Sequence, residues 1–206
     1  GSIMVNNGIL GNEEFLHTIY AKEGIKAQFI QHMKIKTNGS VEVNKHILHS
    51  TVEAGDKVIV TSGTGKIIGG EIKAQKGIEC NIAGGPFETP TKLILDVYSE
   101  TVKEESEINK EMLVLEENKF KIEKLLKDVE ALKQLSAINN RYITLQEDRS
   151  FIEEQRQSIK THSIRVLNKV YPGVIIKIGR ELYLNRSEKI RTDFLIDKET
   201  NELVER

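Results

Sequence analysis

The fold is decided by residues 19–80, which read IYAKEGIKAQFIQHMKIKTNGSVEVNKHILHSTVEAGDKVIVTSGTGKIIGGEIKAQKGIEC. Four segments of this stretch begin 16, 17 and 20 residues apart and carry equivalent residues at their first, third, seventh and ninth positions. These residues are Ile19, Ala21, Ile25 and Ala27; Ile35, Thr37, Val41 and Val43; Val52, Ala54, Val58 and Val60; and Ile72, Ala74, Ile78 and Cys80. A repeat of this length is too short for a domain and is typical of one coil of a solenoid.

Within each segment apolar residues alternate with polar ones, as in Val41-Glu42-Val43, which predicts short strands with one buried face. Turn sequences such as Asn38-Gly39-Ser40 separate the strands. A further apolar column, Ile30, Ile47 and Ile67, precedes three of the segments by five residues. The sequence therefore predicts a parallel β-helix, and the rule for parallel crossovers predicts that it is right-handed.

Composition excludes several classes of protein. The net charge of −1 over 206 residues shows no basic excess for nucleic acid or an anionic membrane, and no apolar run reaches the ~20 residues of a membrane span. Cys80 is the single cysteine and cannot form an internal disulfide, which favours an intracellular location over a secreted one. An uncapped first coil would expose strand edges, so we expect further coils upstream.

Residues 100–167 are charged and free of glycine, and we interpret them as helix. Apolar residues recur every seven positions in two series, which is the spacing of a coiled-coil seam. The predicted seam residues are Ile108, Leu115, Ile122, Val129, Leu145, Ile152, Ile159 and Val166, with Ile138 also in the second series. Antiparallel pairing of Ile108 with Val166, Leu115 with Ile159, Ile122 with Ile152 and Val129 with Leu145 would place a turn at residues 136–140, where Asn139-Asn140 favours one.

Three regions follow from these patterns. Residues 1–98 are expected to form β-solenoid coils, residues 99–168 an antiparallel coiled-coil hairpin, and residues 169–206 a return to the solenoid with its final strands. Strand character reappears at 174–178 and 182–184, punctuated by Pro172-Gly173 and Gly179. A hairpin whose ends meet can be inserted into a solenoid without disturbing the neighbouring coils.

The glycine-rich stretch from 61 to 70 is the first candidate site, and its signature residues are Gly63, Gly65, Lys66, Gly69 and Gly70. It resembles a phosphate-binding loop, but such a loop needs a glycine five residues before the Gly-Lys pair and Ser or Thr after the lysine. Val60 and Ile67 occupy those places, and Ile67 belongs to an inward column. We therefore predict a structural corner loop.

His32, His49 and Cys80 are the remaining candidates. His32 and His49 occupy equivalent places in adjacent coils, but the next coil has Gly69 there, so we predict a histidine stack in preference to a metal site. Cys80 continues the column of Ala27, Val43 and Val60 and is predicted to be a buried thiol. No metal, cofactor or catalytic group is predicted.

The sequence resembles the β-solenoid domain of the flagellar assembly protein A family. The segments that carry the resemblance are 7–11 (NGILG), 25–30 (IKAQFI), 47–55 (ILHSTVEAG), 63–72 (GTGKIIGGEI) and 170–174 (VYPGV), of which the last two are the most specific. The resemblance implies a right-handed solenoid in a cytoplasmic, bacterial, non-enzymatic protein linked to flagellar assembly or placement.

Two classes of function remain. The first is a structural scaffold that presents the helical hairpin to protein partners, with homo-oligomerisation left open and neither nucleic-acid binding nor membrane insertion expected. The second is a β-helix enzyme acting on a polysaccharide or an acyl substrate. Paired carboxylates on one face are what such a hydrolase needs. The coils up to residue 95 contain one aspartate, Asp56, at a corner, and their glutamates, such as Glu42, Glu53 and Glu79, lie on different walls or at turns. The scaffold is therefore the favoured interpretation.

Overall fold

The structure, a computed structural model, describes residues 1–13, 17–96, 99–125, 129–159, 162–197, 200 and 202–206. The chain forms two compact units. One comprises Gly1–Val97 together with Lys160–Arg206, and the other comprises Tyr98–Ile159. The described elements of the first unit are strands, and those of the second are two helices.

The strands of the first unit are short and follow one another through turns. Before the helices they are β1 (Ser2–Met4), β2 (Ile9–Leu10), β3 (Thr18–Ala21), β4 (Gly24–Gln31), β5 (Lys34–Thr37), β6 (Ser40–Ala54), β7 (Lys57–Val60), β8 (Lys66–Ala74), β9 (Gly77–Ala83) and β10 (Thr91–Leu95). After the helices they are β11 (Ser163–Val170), β12 (Val174–Ile178), β13 (Glu181–Leu184), β14 (Lys189–Ile196) and β15 (Leu203–Glu205).

Parallel pairing stacks the repeat segments in the predicted register. Ile35 lies between Ile19 and Val52, and Val52 in turn lies beside Ile72. A second column joins Ile25, Val41, Val58 and Ile78. These pairings confirm the prediction of a mainly β chain built as a β-solenoid, which has about 5 turns.

The aligned columns form the core. Ile35, Val41, Val52, Val58 and Ile72 are each 0% exposed. Burying one such side chain contributes about 1.5–3 kcal/mol relative to leaving it in water. The same position therefore selects an apolar residue in every coil, and this selection is what makes the repeat visible in the sequence.

The strands that follow the helices return to the solenoid and end it. Strand β11 continues β9 in parallel, with Ile164 beside Ile78 and Val166 beside Cys80. Strand β12 continues β10 in parallel. Strands β13 and β14 then pair antiparallel with β12 and β11, and β15 pairs antiparallel with β14. The predicted strands at 174–178 and 182–184 are confirmed, and the antiparallel strands cover edges that would otherwise be open.

The helices differ from the prediction at their C-terminal end. They are α1 (Ser99–Leu125) and α2 (Val129–Ile159), so helix does not extend to residue 167. Residue 166 follows Ile159 by seven, which mimics the seam, but Val166 is a fully buried strand residue. Its assignment to the seam was wrong because a core position of β11 happens to fall on the heptad spacing.

The predicted turn at residues 136–140 was also wrong, since these residues lie inside α2. Asparagine costs a helix only about 0.5 kcal/mol relative to better formers, which neighbouring apolar contacts outweigh. The four pairings centred on that turn, Ile108 with Val166, Leu115 with Ile159, Ile122 with Ile152 and Val129 with Leu145, fail with it. Glu111 instead contacts Arg141 and Glu116 contacts Tyr142, a register displaced by about twenty residues from the predicted one.

Candidate functional site

The glycine-rich loop joins β7 to β8. Gly63 and Gly65 have φ values of 57° and 56°, in the left-handed region that favours glycine. The Thr64 hydroxyl donates a hydrogen bond of 2.9 Å to the Lys45 carbonyl. Lys66 begins β8 beside His46 and is half-buried.

Asn81 ties the same loop to the following coil. Its side-chain amide donates to the Thr61 carbonyl at 2.9 Å, and its backbone N–H donates to the Gly65 carbonyl at 2.9 Å. A Cβ on Gly65 would collide with the Asn81 amide. Both loop glycines therefore have a structural role. Their left-handed conformation forms the corner, and contacts with Lys45 on one side and Asn81 on the other hold the loop in place.

Gly69 and Gly70 form a second corner, with φ values of 72° and 86°. His32 and His49, at 52° and 44°, adopt the same left-handed conformation in the preceding coils. His49 also limits Gly69, because a Cβ there would lie 2.6 Å from His49 Nδ1. At least one left-handed residue in each of these three coils therefore turns the chain at this corner.

The two histidine rings stack with centroids 5.4 Å apart and planes inclined by 6°, which confirms the predicted stack. His32 Nε2 lies 3.1 Å from a carboxylate oxygen of Glu13. Across the described residues, no group of three or more His, Cys, Asp or Glu side chains is arranged to hold a metal ion.

A second ring column lies beside the loop. Phe29 and His46 are neighbours across β4 and β6, and their rings stack at 5.3 Å. Burial, followed by the charges of Lys45 and Lys66, lowers the pKa of His46. This histidine is therefore favoured in its neutral form and packs as an aromatic ring.

Cys80 is fully buried, as predicted. Burial, followed by the nearby charge of Glu79, raises the pKa of its thiol to about 12. Since the thiolate is the nucleophile in thiol chemistry, both the protonated form and the packing suppress reactivity.

We expect Cys80 to react with an aromatic disulfide reagent at pH 8 at least about a thousandfold more slowly in the native chain than in urea, because a pKa near 12 leaves only a trace of thiolate. The release of the coloured thiol measures both rates. A Cys80→Ala/Ser62→Cys variant, whose only thiol lies at an exposed loop position, is the matched control and should react at once. Rapid labelling of the native chain would contradict a buried Cys80.

The outer faces of the solenoid carry rows of charge. Lys26 and Glu42 form an ion pair of 2.7 Å, and Lys36 and Glu53 form one of 3.2 Å, in each case across adjacent coils. Exposed pairs of this kind contribute up to about 1 kcal/mol each. They fit a solvated surface that keeps neighbouring coils in register.

The described part of the solenoid includes hollows on its surface, two of which contain titratable side chains. One of about 330 Å³ is lined by Lys57, Lys76, His162 and Arg165 among others, and burial, followed by the charges of Lys76 and Lys57, lowers the pKa of His162. The other, of about 460 Å³, places Glu71 and Asp96 among lysines and apolar side chains. Lys92 lies 3.7 Å from Glu71, so that carboxylate has a cationic neighbour.

The helical unit contains most of the predicted seam. Ile108, Leu115 and Ile122 are half-buried, and Leu145 and Ile152 are 1% and 6% exposed. The side chains of Val129 and Ile159 lie outside those that the structure describes. Sequence reasoning missed Met112, Leu135 and Tyr142, which are also half-buried and fall at intervals of three or four from seam positions.

Polar contacts between described residues join the helices. Arg141 donates to both carboxylate oxygens of Glu111, at 2.8 and 3.0 Å, and this hydrogen bonding lowers the pKa of Glu111. The Tyr142 hydroxyl donates to Glu116 at 2.8 Å.

Large apolar side chains remain exposed on both helices. They are Leu113 at 61%, Val114 at 54%, Phe120 at 58%, Ile143 at 54% and Phe151 at 61%. Exposed apolar side chains are unfavourable in water, so this number on two helices suggests a surface that another molecule covers. None of the described helices is long and apolar enough to cross a membrane.

Fold and site together define a β-solenoid protein whose chain includes two long helices. The sequence model of the Flagellar Assembly Protein A beta solenoid domain family matches residues 1–202, and the chain therefore belongs to that family. Searches of curated proteins and of solved structures gave no match. Family membership indicates a role related to flagella, and the family description names an assembly process without naming a reaction.

Proposed function

We propose that this protein is a non-enzymatic, cytoplasmic scaffold in bacterial flagellar assembly or placement. In this proposal the β-solenoid, right-handed as the crossover rule predicts, is the rigid base. Helices α1 and α2, residues 99–159 and hereafter the arm, form an antiparallel coiled-coil hairpin that contacts protein partners. The observation that carries the proposal is the exposure of apolar side chains on the arm, each more than half exposed.

The solenoid supplies the contrast that supports this assignment. Its glycine loop is fastened by Thr64 and Asn81, its histidines stack on each other, and its cysteine is buried. Each of these candidates has a structural explanation. On the arm, by contrast, residues 113, 114, 143 and 151 are apolar and more than half exposed, and exposed apolar area is a frequent feature of protein interfaces.

Deleting residues 100–159 and joining the ends with a short Gly-Ser linker should abolish capture of the protein partners from the native cell. The measurement is affinity capture followed by mass spectrometry, with the full chain beside the deletion variant. Far-UV circular dichroism of the variant should retain strand signal and lose helix signal, which shows that the solenoid remains folded.

A matched control keeps the arm and changes the solenoid surface. Lys36→Ala/Glu53→Ala removes one exposed ion pair and should leave capture unchanged. Capture that survives loss of the arm, with the solenoid folded, would refute the arm as the contact surface.

A further inference from the structure

We propose that the solenoid hollow of about 330 Å³ binds a small phosphate monoester, with the phosphate group at the corner where β7, β9 and β11 begin. This hollow lies on the solenoid alone, so the inference does not depend on the arm. Gly77 lines it, and its polar side chains are Lys57, Lys76, Glu79, His162, Ser163 and Arg165.

A glycine interrupts the column of residues that begins these strands. Parallel pairing places Gly77 between Lys57 and Ser163. Neighbouring strands lie about 4.8 Å apart, so a missing side chain leaves a gap one strand wide. The φ of Gly77 is outside the left-handed region, and an added Cβ would lie 3.6 Å or more from its neighbours. Neither the backbone nor the packing requires glycine here, and what this glycine provides is open space.

Lys57 differs from the lysines in the rows of charge. Lys26 and Lys36 each form an ion pair with a glutamate of the adjacent coil. Lys57 has Gly77 beside it in the next coil, and it forms no ion pair with any residue that the structure describes. Its ammonium group is exposed at the edge of the gap and can pair with an anion.

Lys76 and His162 complete the corner end of the hollow. A carboxylate oxygen of Asp56 lies 3.1 Å from the Lys76 ammonium group and partly offsets its charge. Burial, followed by the charges of Lys76 and Lys57, lowers the pKa of His162, and the opposing effect of Asp56 is smaller than that of either lysine. The two lysines therefore make the electrostatic potential at this end positive, although Asp56 is close.

Two polar groups at the same end have unused hydrogen-bonding capacity. Within the described part of the chain, the Ser163 hydroxyl has no hydrogen-bond partner, and Nδ1 of His162 is buried without one. A phosphate monoester presents three strong acceptor oxygens, which ammonium and hydroxyl donors match. A buried polar atom without a partner is also destabilising, so a ligand that hydrogen bonds to the His162 ring is favoured.

The other end of the hollow suits the organic part of the ligand. Glu79 and Arg165 lie two residues further along their strands, about 7 Å from the corner column. Arg165 lies 3.9 Å from Glu79 and 3.3 Å from Asp193, so these carboxylates offset its charge. A carboxylate and a guanidinium group can both hydrogen bond to ligand hydroxyls, and Ile59 adds apolar surface. Since small-molecule sites measure about 300–1,000 Å³, a phosphorylated sugar matches both the size and the polarity.

Isothermal titration calorimetry with ribose 5-phosphate tests the proposal, with ribose and inorganic phosphate as comparison ligands. We expect the native chain to bind ribose 5-phosphate with a dissociation constant of about 1 mM or lower. Inorganic phosphate should bind at least about fivefold more weakly because it lacks the contacts of the organic part. Ribose should give no heat of binding, since it lacks the group that the lysines recognise.

Two variants change the site in different ways. Gly77→Leu fills the gap without changing the charge, and Lys57→Gln removes the unpaired cation. Each should raise the dissociation constant of ribose 5-phosphate at least about tenfold. Lys34→Gln is the matched control and should leave it unchanged. Lys34 also begins a strand, is exposed and forms no ion pair with a described residue, but it does not line the hollow.

Circular dichroism and urea unfolding verify that each variant is folded, and if Gly77→Leu is not, the exposed substitution Lys57→Gln decides. A native chain that binds no ribose 5-phosphate would overturn the inference. Equal weakening by Lys34→Gln and Lys57→Gln would also refute it, because it would mean general attraction to surface charge. Undiminished binding by folded Gly77→Leu would place the ligand elsewhere, and equal affinity for inorganic phosphate would contradict a monoester.

Discussion

Gly70→Ala is expected to lower the free energy of unfolding by about 2–4 kcal/mol, a large fraction of the stability of an ordinary domain. Gly70 has a φ of 86°, which costs a residue with a side chain about 1 kcal/mol or more. An added Cβ would also collide with the Ser50 carbonyl oxygen and lie 2.8 Å from the Ser50 nitrogen. Both are backbone atoms of the adjacent coil and cannot rotate away.

Gly77→Ala is the matched control. Gly77 starts the next strand along the chain, its φ is outside the left-handed region, and an added Cβ would lie 3.6 Å or more from its neighbours. Because alanine restricts the unfolded chain more than glycine does, this change should be neutral or stabilising by up to about 1 kcal/mol. Urea unfolding followed by circular dichroism measures both variants, and equal midpoints would refute the backbone clash at Gly70.

The solenoid could be predicted because each coil imposes the same physical demand at the same position. Ile35, Val52 and Ile72 occupy the same interior position in successive coils, so each must be apolar. Parallel pairing fixes their register, because a shift of one residue would turn these side chains outward. The interior columns therefore appear in the sequence as a gapless alignment. The positions of the corners could be predicted from glycine. The hydrogen bonds of Thr64 and Asn81 that hold the corner could not be predicted, because they join residues about twenty positions apart.

Strand β11 could have been recognised from its sequence. Ser163-Ile164-Arg165-Val166 alternates with a period of two and parallels the segment Gly77-Ile78-Glu79-Cys80 beside it. The heptad series obscured this alternation, since Val166 satisfies both patterns. A seven-residue spacing at one position is weaker evidence than alternation across four.

The turn between the helices could not be placed by the seam alone. Any two heptad series can be paired about any midpoint, so the choice relied on Asn139-Asn140, which the structure places within α2. The contact of Glu111 with Arg141 establishes the register, and it is not encoded in the apolar spacing. Exposed apolar residues such as Leu113 and Phe151 gave no periodic signal of their own, which is why sequence reasoning did not single them out.

Asn185→Asp is expected to destabilise the C-terminal part of the solenoid by about 3–5 kcal/mol at pH 7. Asn185 is 0% exposed, and its side-chain amide donates to the carbonyls of Ser187 at 2.7 Å, Tyr171 at 2.8 Å and Val170 at 3.4 Å. A carboxylate has no hydrogen to donate, so three carbonyl oxygens would face a buried negative charge. Replacing this one amide therefore removes the two N–H donors that serve these three carbonyls and adds repulsion.

The loss should depend on pH with a predictable sign. Burial among carbonyl oxygens disfavours the ionised form, so the new carboxyl should have a folded-state pKa above its unfolded value of about 3.9. The destabilisation relative to the native chain is then smallest below pH 4. It grows by up to about 1.4 kcal/mol per pH unit until pH passes the folded pKa, above which it is constant. Urea midpoints of both proteins between pH 3.5 and 8 measure this difference.

Asn81→Asp is the control that separates burial from the loss of an amide. Asn81 also donates to two carbonyls, Thr61 at 2.9 Å and Gly63 at 3.4 Å, but it is half-buried and water can reach the new carboxylate. Its cost should be about 1 kcal/mol, with little dependence on pH. If both variants lost the same stability with the same pH dependence, burial of Asn185 would not explain its effect. The proposed role of its amide in stabilising residues 170–187 would then be wrong.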